Sequence, residues 1–195
     1  QVAGDTVGEL HVLADASHTA VATALAAKGG LGLAASGTVA DAVVDTNVSA
    51  SISDDARIKV ARTVEVDANS AGAARADATG INVSLGGAVG ASIARATLSP
   101  TVSATIGQRS LIDAADFTLA AHQVLPAGGG RSAFASASGA AGGLLVGANA
   151  SRSTAFNDAA VNARVGDDST LKISGTATVQ THNTHSQLAY VSGVS

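Results

Sequence analysis

Three stretches of the chain alternate apolar and polar residues without a break: Val48-Ser-Ala-Ser-Ile52, Val102-Ser-Ala-Thr-Ile106 and Val161-Asn-Ala-Arg-Val165. A period of two places one set of side chains inside and the other in water, which predicts half-buried β-strands. Between Leu31 and Val43 the odd positions read Leu, Leu, Ala, Gly, Val, Asp, Val, a further alternation. Ala, which is abundant here, favours helix. The Gly clusters, the β-branched Val, Ile and Thr, and the alternation itself oppose a helical reading. The expected fold class is all-β.

The alternating stretches are landmarks of an internal repeat. Ile52 and Ile106 lie 54 residues apart, and Ile106 and Val165 lie 59 apart. Each landmark runs into an equivalent turn: Ser53-Asp-Asp-Ala56, Gly107-Gln-Arg-Ser110 and Gly166-Asp-Asp-Ser169. Gly, Asp and Ser are what tight turns favour. Second strand-like runs follow at Val64-Glu-Val66-Asp-Ala68, Phe117-Thr-Leu119-Ala-Ala121 and Ala177-Thr-Val179-Gln-Thr181, with an earlier copy at Leu10-His-Val12-Leu-Ala14. A Gly/Ala-rich stretch carrying Leu31, Leu85 or Leu144 precedes each landmark. We expect one repetitive β-solenoid (β-helix-like) segment over 1–195, with repeats near 10–63, 64–116 and 117–176 and a partial copy at 177–195. The lengthened third repeat is what a surface-loop insertion produces. A repeat of this length suits two or three coils of a solenoid, and the sequence leaves that choice open.

Composition sharpens the picture of the core. Apolar residues are 46% of the chain, yet they are mainly Ala and Val, and aromatics are 2%. Such residues fill only a thin Ala/Val/Ile core, which points to closely spaced sheets stacked repeatedly. The net charge of −4 from eleven basic and fifteen acidic residues argues against a nucleic-acid footprint. No apolar run reaches the length of a membrane-spanning helix. There is no Cys, which fits the cytosol and also fits secretion through a narrow pore, where a premature disulfide loop would jam. The start, Gln1-Val-Ala-Gly-Asp5, has no basic region followed by an apolar one. The expectation is therefore a removed export signal or an internal piece of a longer protein.

Candidate chemistry is sparse. The pairs Asp54-Asp55 and Asp167-Asp168 occupy equivalent turns and raise a Ca²⁺ site at a corner. The middle copy has Gln108-Arg109 instead, so the expectation is a solvated turn. Asp15, Asn69, His122 and His182 are equivalent by repeat position, as are His18 and His185. Stacking would join the first set into a polar ladder, not a metal site. The Gly clusters Gly29-Gly30, Gly86-Gly87, Gly128-Gly-Gly130 and Gly142-Gly143 do not run into a Lys-Ser/Thr helix start and are not phosphate loops. No nucleophile-elbow or paired-carboxylate signature is present. The expectation is no enzyme and no cofactor.

The unit as a whole resembles the repeats of the long filamentous adhesins of Gram-negative bacteria, the leukotoxin-type and haemagglutinin-like exoproteins. The matching stretches are Ala163-Arg-Val-Gly-Asp-Asp-Ser169, Ala104-Thr-Ile-Gly-Gln-Arg-Ser110 and Ala50-Ser-Ile-Ser-Asp-Asp-Ala56. The resemblance spans roughly 10–190 and departs from the family in lacking a Tyr before the Ile and in Ser53, where later copies have Gly. It implies secretion, a cell-surface or extracellular location, and a structural role in attachment or biofilm. The partners implied are the rest of a longer chain, copies stacked end to end, or a surface receptor. An ice-binding solenoid or a carbohydrate-active β-helix enzyme are the alternatives; the first needs a repeated Thr column, the second a groove of converging carboxylates.

Overall fold

The structure, a computed structural model, describes residues 8–194; the start Gln1–Asp5 lies outside them. Among the described residues there are fifteen strands and no helix, hence none long and apolar enough to cross a membrane. Each repeat lays down the same series. A long strand comes first (β1, Leu10–Gly30; β5, Thr63–Ser84), then a 12-residue strand (β2, Leu33–Val44; β6, Gly87–Leu98; β11, Val146–Asn157). A six-residue strand follows (β3, Asn47–Ile52; β7, Thr101–Ile106; β12, Ala160–Val165), then a short one (β4, Arg57–Lys59; β8, Leu111–Ala114; β13, Thr170–Ile173). In the third repeat the long strand is divided into β9 (Asp116–Val124) and β10 (Ala133–Gly143). A fourth copy opens with β14 (Ala177–Asn183) and β15 (Gln187–Val194).

Every strand pairs in parallel with its counterpart one repeat away, giving one six-stranded sheet and three three-stranded sheets. Leu10 pairs Val64, Leu33 pairs Gly87, Asn47 pairs Thr101 and Arg57 pairs Leu111, all at an offset of 54. One repeat is therefore one layer of each sheet, which corrects the expectation of two or three coils per repeat. The reason is strand length. β1 and β5 have 21 and 22 residues, about 70 Å for the longer at a rise of about 3.3 Å per residue. A layer made of such a strand and the three shorter ones that follow it takes up the whole repeat. Ile52, Ile106 and Val165 consequently stand in one column on adjacent strands.

The lengthened period is localised. Along the long sheet the offset from second to third layer is 53 up to Ala71↔Val124 and 59 from Ala74↔Ala133 onward. Six extra residues thus lie in the loop between β9 and β10, as an insertion would place them.

Alternation decides burial. Val48, Ala50, Ile52, Val102, Ala104 and Ile106 are buried, with Ser49 and Ser51 exposed. Val161, Ala163 and Val165 point the same way and are only half-buried, since β12 has a partner on one side alone among the described residues. Two cores result. The first halves of the long strands enclose Val, Ile, Leu and Phe with the third and fourth sheets: Val64, Val66, Val102, Ile106, Ile112, Phe117 and Leu119. Their second halves face β2, β6 and β11 across a layer of Ala: Ala40, Ala42, Ala74, Ala76, Ala78, Ala94, Ala96, Ala135 and Ala137, with Leu98 and Val44 the larger members. Small residues let these sheets approach closely. A Cβ on Gly80 would come 2.9 Å from Ser92 Oγ, and one on Gly72 would come 2.7 Å from Leu98 Cδ1. The molecule is thus thick at one end and a thin blade at the other.

The turn glycines report the same stacking. A Cβ on Gly107 would lie 2.3 Å from the Asp54 backbone nitrogen, and one on Gly166 would lie 2.7 Å from the Gln108 nitrogen. Each must be Gly because its Cβ would strike the turn of the preceding layer. No described layer precedes the first, so Ser53 fits there.

Candidate functional site

The aspartate turns stack as one column, and the turn of one layer bonds to the next. Asp54 Oδ1 accepts the Gln108 backbone N–H at 2.8 Å. Arg109 donates from Nε and Nη2 to the two oxygens of Asp55, each at 2.8 Å. This fork-to-fork pair holds the Asp55 carboxyl below its usual range and the Arg109 guanidinium above its own. The Arg109 N–H also donates to the Asp167 carbonyl. The middle turn therefore stands between the two aspartate turns, its guanidinium bonded to Asp55 and its backbone N–H to Asp167. Asp55, Arg109 and Asp168 all have left-handed backbone, φ 57°, 54° and 59°. Asp tolerates this conformation better than Arg does. Among the described residues no three His, Cys, Asp or Glu side chains converge as a metal requires; Asp54, Asp55, Asp167 and Asp168 serve the turns.

The equivalent polar residues on the long sheet are brought together. Asp15 pairs Asn69, Asn69 pairs His122, and His122 pairs His182, one per layer. Asn69 Nδ2 donates to Asp15 Oδ1 at 3.2 Å, and the His122 and His182 rings are 6.3 Å apart. His18 pairs Gly72, while His185 falls in the irregular link between β14 and β15. Asp15, Asn69 and His122 of this ladder line a shallow depression of about 410 Å³ with Leu13, Glu65, Asp67 and Val124. Asp67 stands 3.7 Å from His122 Nε2, and its Oδ1 is buried without a hydrogen-bond partner. Burial pushes the Asp67 carboxyl up, and the attraction of His122 offsets this only in part. His11 Nδ1 lies 2.6 Å from Glu65 Oε2; that hydrogen bond, then the one to Glu9, raises the imidazole. Three carboxylates thus face one hollow beside a histidine, a constellation that the scattered sequence positions concealed.

The blade carries its larger apolar residues outward. In β2 the buried residues are Ala34, Thr38, Ala40, Ala42 and Val44, whereas Leu33, Val39 and Val43 are exposed. At the blade's edge Leu31, Leu85 and Leu144 crown successive turns, 85%, 60% and 79% exposed. The alternation turns these residues to the surface, and Ala fills most of the interior, where Leu98 fits only opposite Gly72.

A second surface feature escaped the sequence. The guanidiniums of Arg75 and Arg131 lie 4.9 and 5.7 Å from the centre of the Phe134 ring. Nothing in the linear order joins residues 75 and 134; the signal was the lengthened third repeat, whose inserted loop delivers Arg131 to this place. No family model matches the chain, and no curated protein or solved structure does either.

Proposed function

We propose that the chain is a stiff structural segment of a secreted bacterial surface adhesin or extracellular filament, and that its layers close into a continuous β-solenoid. The observation supporting this is one layer per repeat, in register along all four sheets. Continuous parallel pairing along a stack resists bending, and repeat architectures of this kind extend by adding layers. β1 to β4 each have an unpaired edge at one end, and β11 to β15 each have one at the other, among the described residues. Such edges template further strands, either from the same polypeptide or from another copy. Sedimentation velocity and electron microscopy of the purified 195-residue chain, at rising concentration, test the reading. Rods of constant width whose length grows with concentration support it. A monomer at millimolar concentration, with both terminal layers protected from hydrogen exchange, contradicts it.

One observation favours a second reading. The shallow depression lined by Asp15, Glu65, Asp67 and His122 offers converging carboxylates of the kind that a carbohydrate-active β-helix enzyme would use. In that reading Asp67, held up by burial, is the proton donor. Release of reducing ends or unsaturated sugars from an acidic polysaccharide, abolished in Asp67→Asn, would establish it; no turnover by the native chain dismisses it.

A further inference from the structure

The loop inserted between β9 and β10 does something the other layers cannot. In the first two layers the long strand runs on without a break. In the third it leaves the sheet at Val124 and returns at Ala133, bulging over the outer face. The bulge turns on Gly128 and Gly129, at φ 93° and 70°, a conformation that an L side chain rarely adopts. It closes one side of a depression of about 370 Å³, whose floor is the outer face of the long sheet. Thr19 and Val21 come from β1, Ala73 and Arg75 from β5, and Phe134 from β10, with Pro126, Gly130 and Arg131 supplied by the loop. Val21, Arg75, Phe134 and Leu188 form one column across four adjacent strands, and Tyr190 stands two residues beyond Leu188 on the same face. Two of the chain's four aromatics therefore stand on the same face of adjacent strands, although 56 positions separate them in the sequence.

We propose that this depression binds an acidic saccharide, with the sugar's carboxylate between Arg75 and Arg131 and its apolar ring face against Phe134 and Val21. The charge argument comes first. Arg75 spends its Nε edge on Asp77 at 2.7 Å, which leaves the outer nitrogens free to take a carboxylate. Arg131 enters no ion pair among the described residues. Two guanidiniums 4.9 and 5.7 Å from one ring centre repel each other, and an anion bound by both relieves that repulsion. The shape argument follows. Apolar side chains with a few placed polar groups at the rim are the usual make-up of a small-ligand site, and the volume falls in its range. An acidic peptide fits less well, because β5 is already paired on both sides by β1 and β10. The peptide's backbone would find no strand edge to join there. The site stands apart from the structural reading above and holds whether or not the segment forms filaments.

Isothermal titration of the full chain with an oligogalacturonate tests this, alongside the neutral galactose oligomer of the same length and a poly-glutamate peptide. The expected result is binding of the oligogalacturonate, weakened about tenfold or more by Arg131→Ala and by Phe134→Ala and weakened by added salt. The neutral oligomer and the peptide should bind at least tenfold less well. Arg95→Ala, which removes an exposed arginine from the opposite sheet, should leave binding unchanged. Far-UV circular dichroism on each variant establishes that the β-structure is retained, and Arg131 lies on an exposed loop where its loss does not disturb the sheet. Absence of oligogalacturonate binding at millimolar concentration overturns the proposal. So does equal binding of the neutral oligomer or the peptide, or an Arg95→Ala effect as large as that of Arg131→Ala.

Discussion

Leu98 and Gly72 form a knob and its socket in the blade, and changing both tests how tightly the Ala layer is packed. Leu98 is fully buried and is the largest side chain of a core that otherwise consists of Ala and one Val. Leu98→Ala removes three carbon groups, roughly 2.5 kcal/mol of transfer free energy at ~0.8 kcal/mol each. The surrounding Ala and Gly have no long side chains with which to fill the hole, so a cavity term adds to this. The expected cost is about 3–4 kcal/mol, within the known range for such truncations. Gly72→Ala alone places a methyl 2.7 Å from Leu98 Cδ1. That overpacking costs about 1–3 kcal/mol, against a gain of about 0.4–1 kcal/mol from a less flexible unfolded chain. In the double variant the new methyl enters the space that Leu98 vacated, so the two changes compensate by at least about 1 kcal/mol. The unfolded-state gain is present in both backgrounds and cancels from the cycle. Guanidinium unfolding followed by far-UV circular dichroism, with all four proteins compared at equal m-values, measures the coupling. Additivity within about 0.5 kcal/mol would refute the packing argument.

Three further outcomes follow from the stacking and the surface. Gly107→Ala, whose Cβ would strike the Asp54 backbone, should destabilise the chain by about 1–3 kcal/mol, whereas Ser53→Gly should cost under about 1 kcal/mol; equal effects at the two positions would contradict the layer order. His11 has its pKa raised by Glu65 and Glu9, so its stabilising contribution is complete below the unfolded value and is lost as pH rises through the folded one. The unfolding midpoint should therefore fall between pH 5.5 and 8.5 by less in His11→Asn than in the native chain, and an identical fall would remove the pair from the account. Replacing Leu31, Leu85 and Leu144 together by Ser should leave stability nearly unchanged, since all three are largely exposed, while lowering the binding of an apolar dye such as ANS; a loss of more than about 2 kcal/mol would show that the ridge is a buried element.

Strand, parity and repeat were legible because alternation has a direct structural consequence. Val48, Ala50 and Ile52 had to share a face, and so did their equivalents 54 residues on. The thin core was legible from the scarcity of Leu and aromatics. The number of layers per repeat was not, because the Gly- and Ala-rich residues Ser70–Ser84 lack the strict apolar–polar alternation that marks a strand, whereas they continue β5 to its full 22 residues. Small side chains there are the condition for close sheet approach and not a sign of irregular backbone. The Leu31 to Val43 alternation left the choice of face open, and the larger residues lie outside for the same reason. The Asp15–Asn69–His122–His182 ladder followed from repeat position alone. The pairing of Arg75 with Phe134 required the register on which the chain returns to the sheet at Ala133; Pro126 and Gly128-Gly-Gly130 mark a break there but not that register.

The register itself is open to a direct chemical measurement. Ser49 and Ser103 are paired on adjacent parallel strands, with their hydroxyl oxygens 3.1 Å apart. The native chain has no Cys, so Ser49→Cys with Ser103→Cys introduces two thiols and no competing partner. With one layer per repeat the two Cα atoms are about 4.8 Å apart, inside the span that a disulfide bridges. With two coils per repeat they would be about 9.6 Å apart, beyond that span. Mild oxidation of the dilute monomer, read by thiol titration and by mass spectrometry of the linked peptides, should give a near-quantitative internal disulfide with an unchanged β-spectrum. Two thiols that stay free in the folded chain, or that link only between molecules, would contradict the one-layer stack.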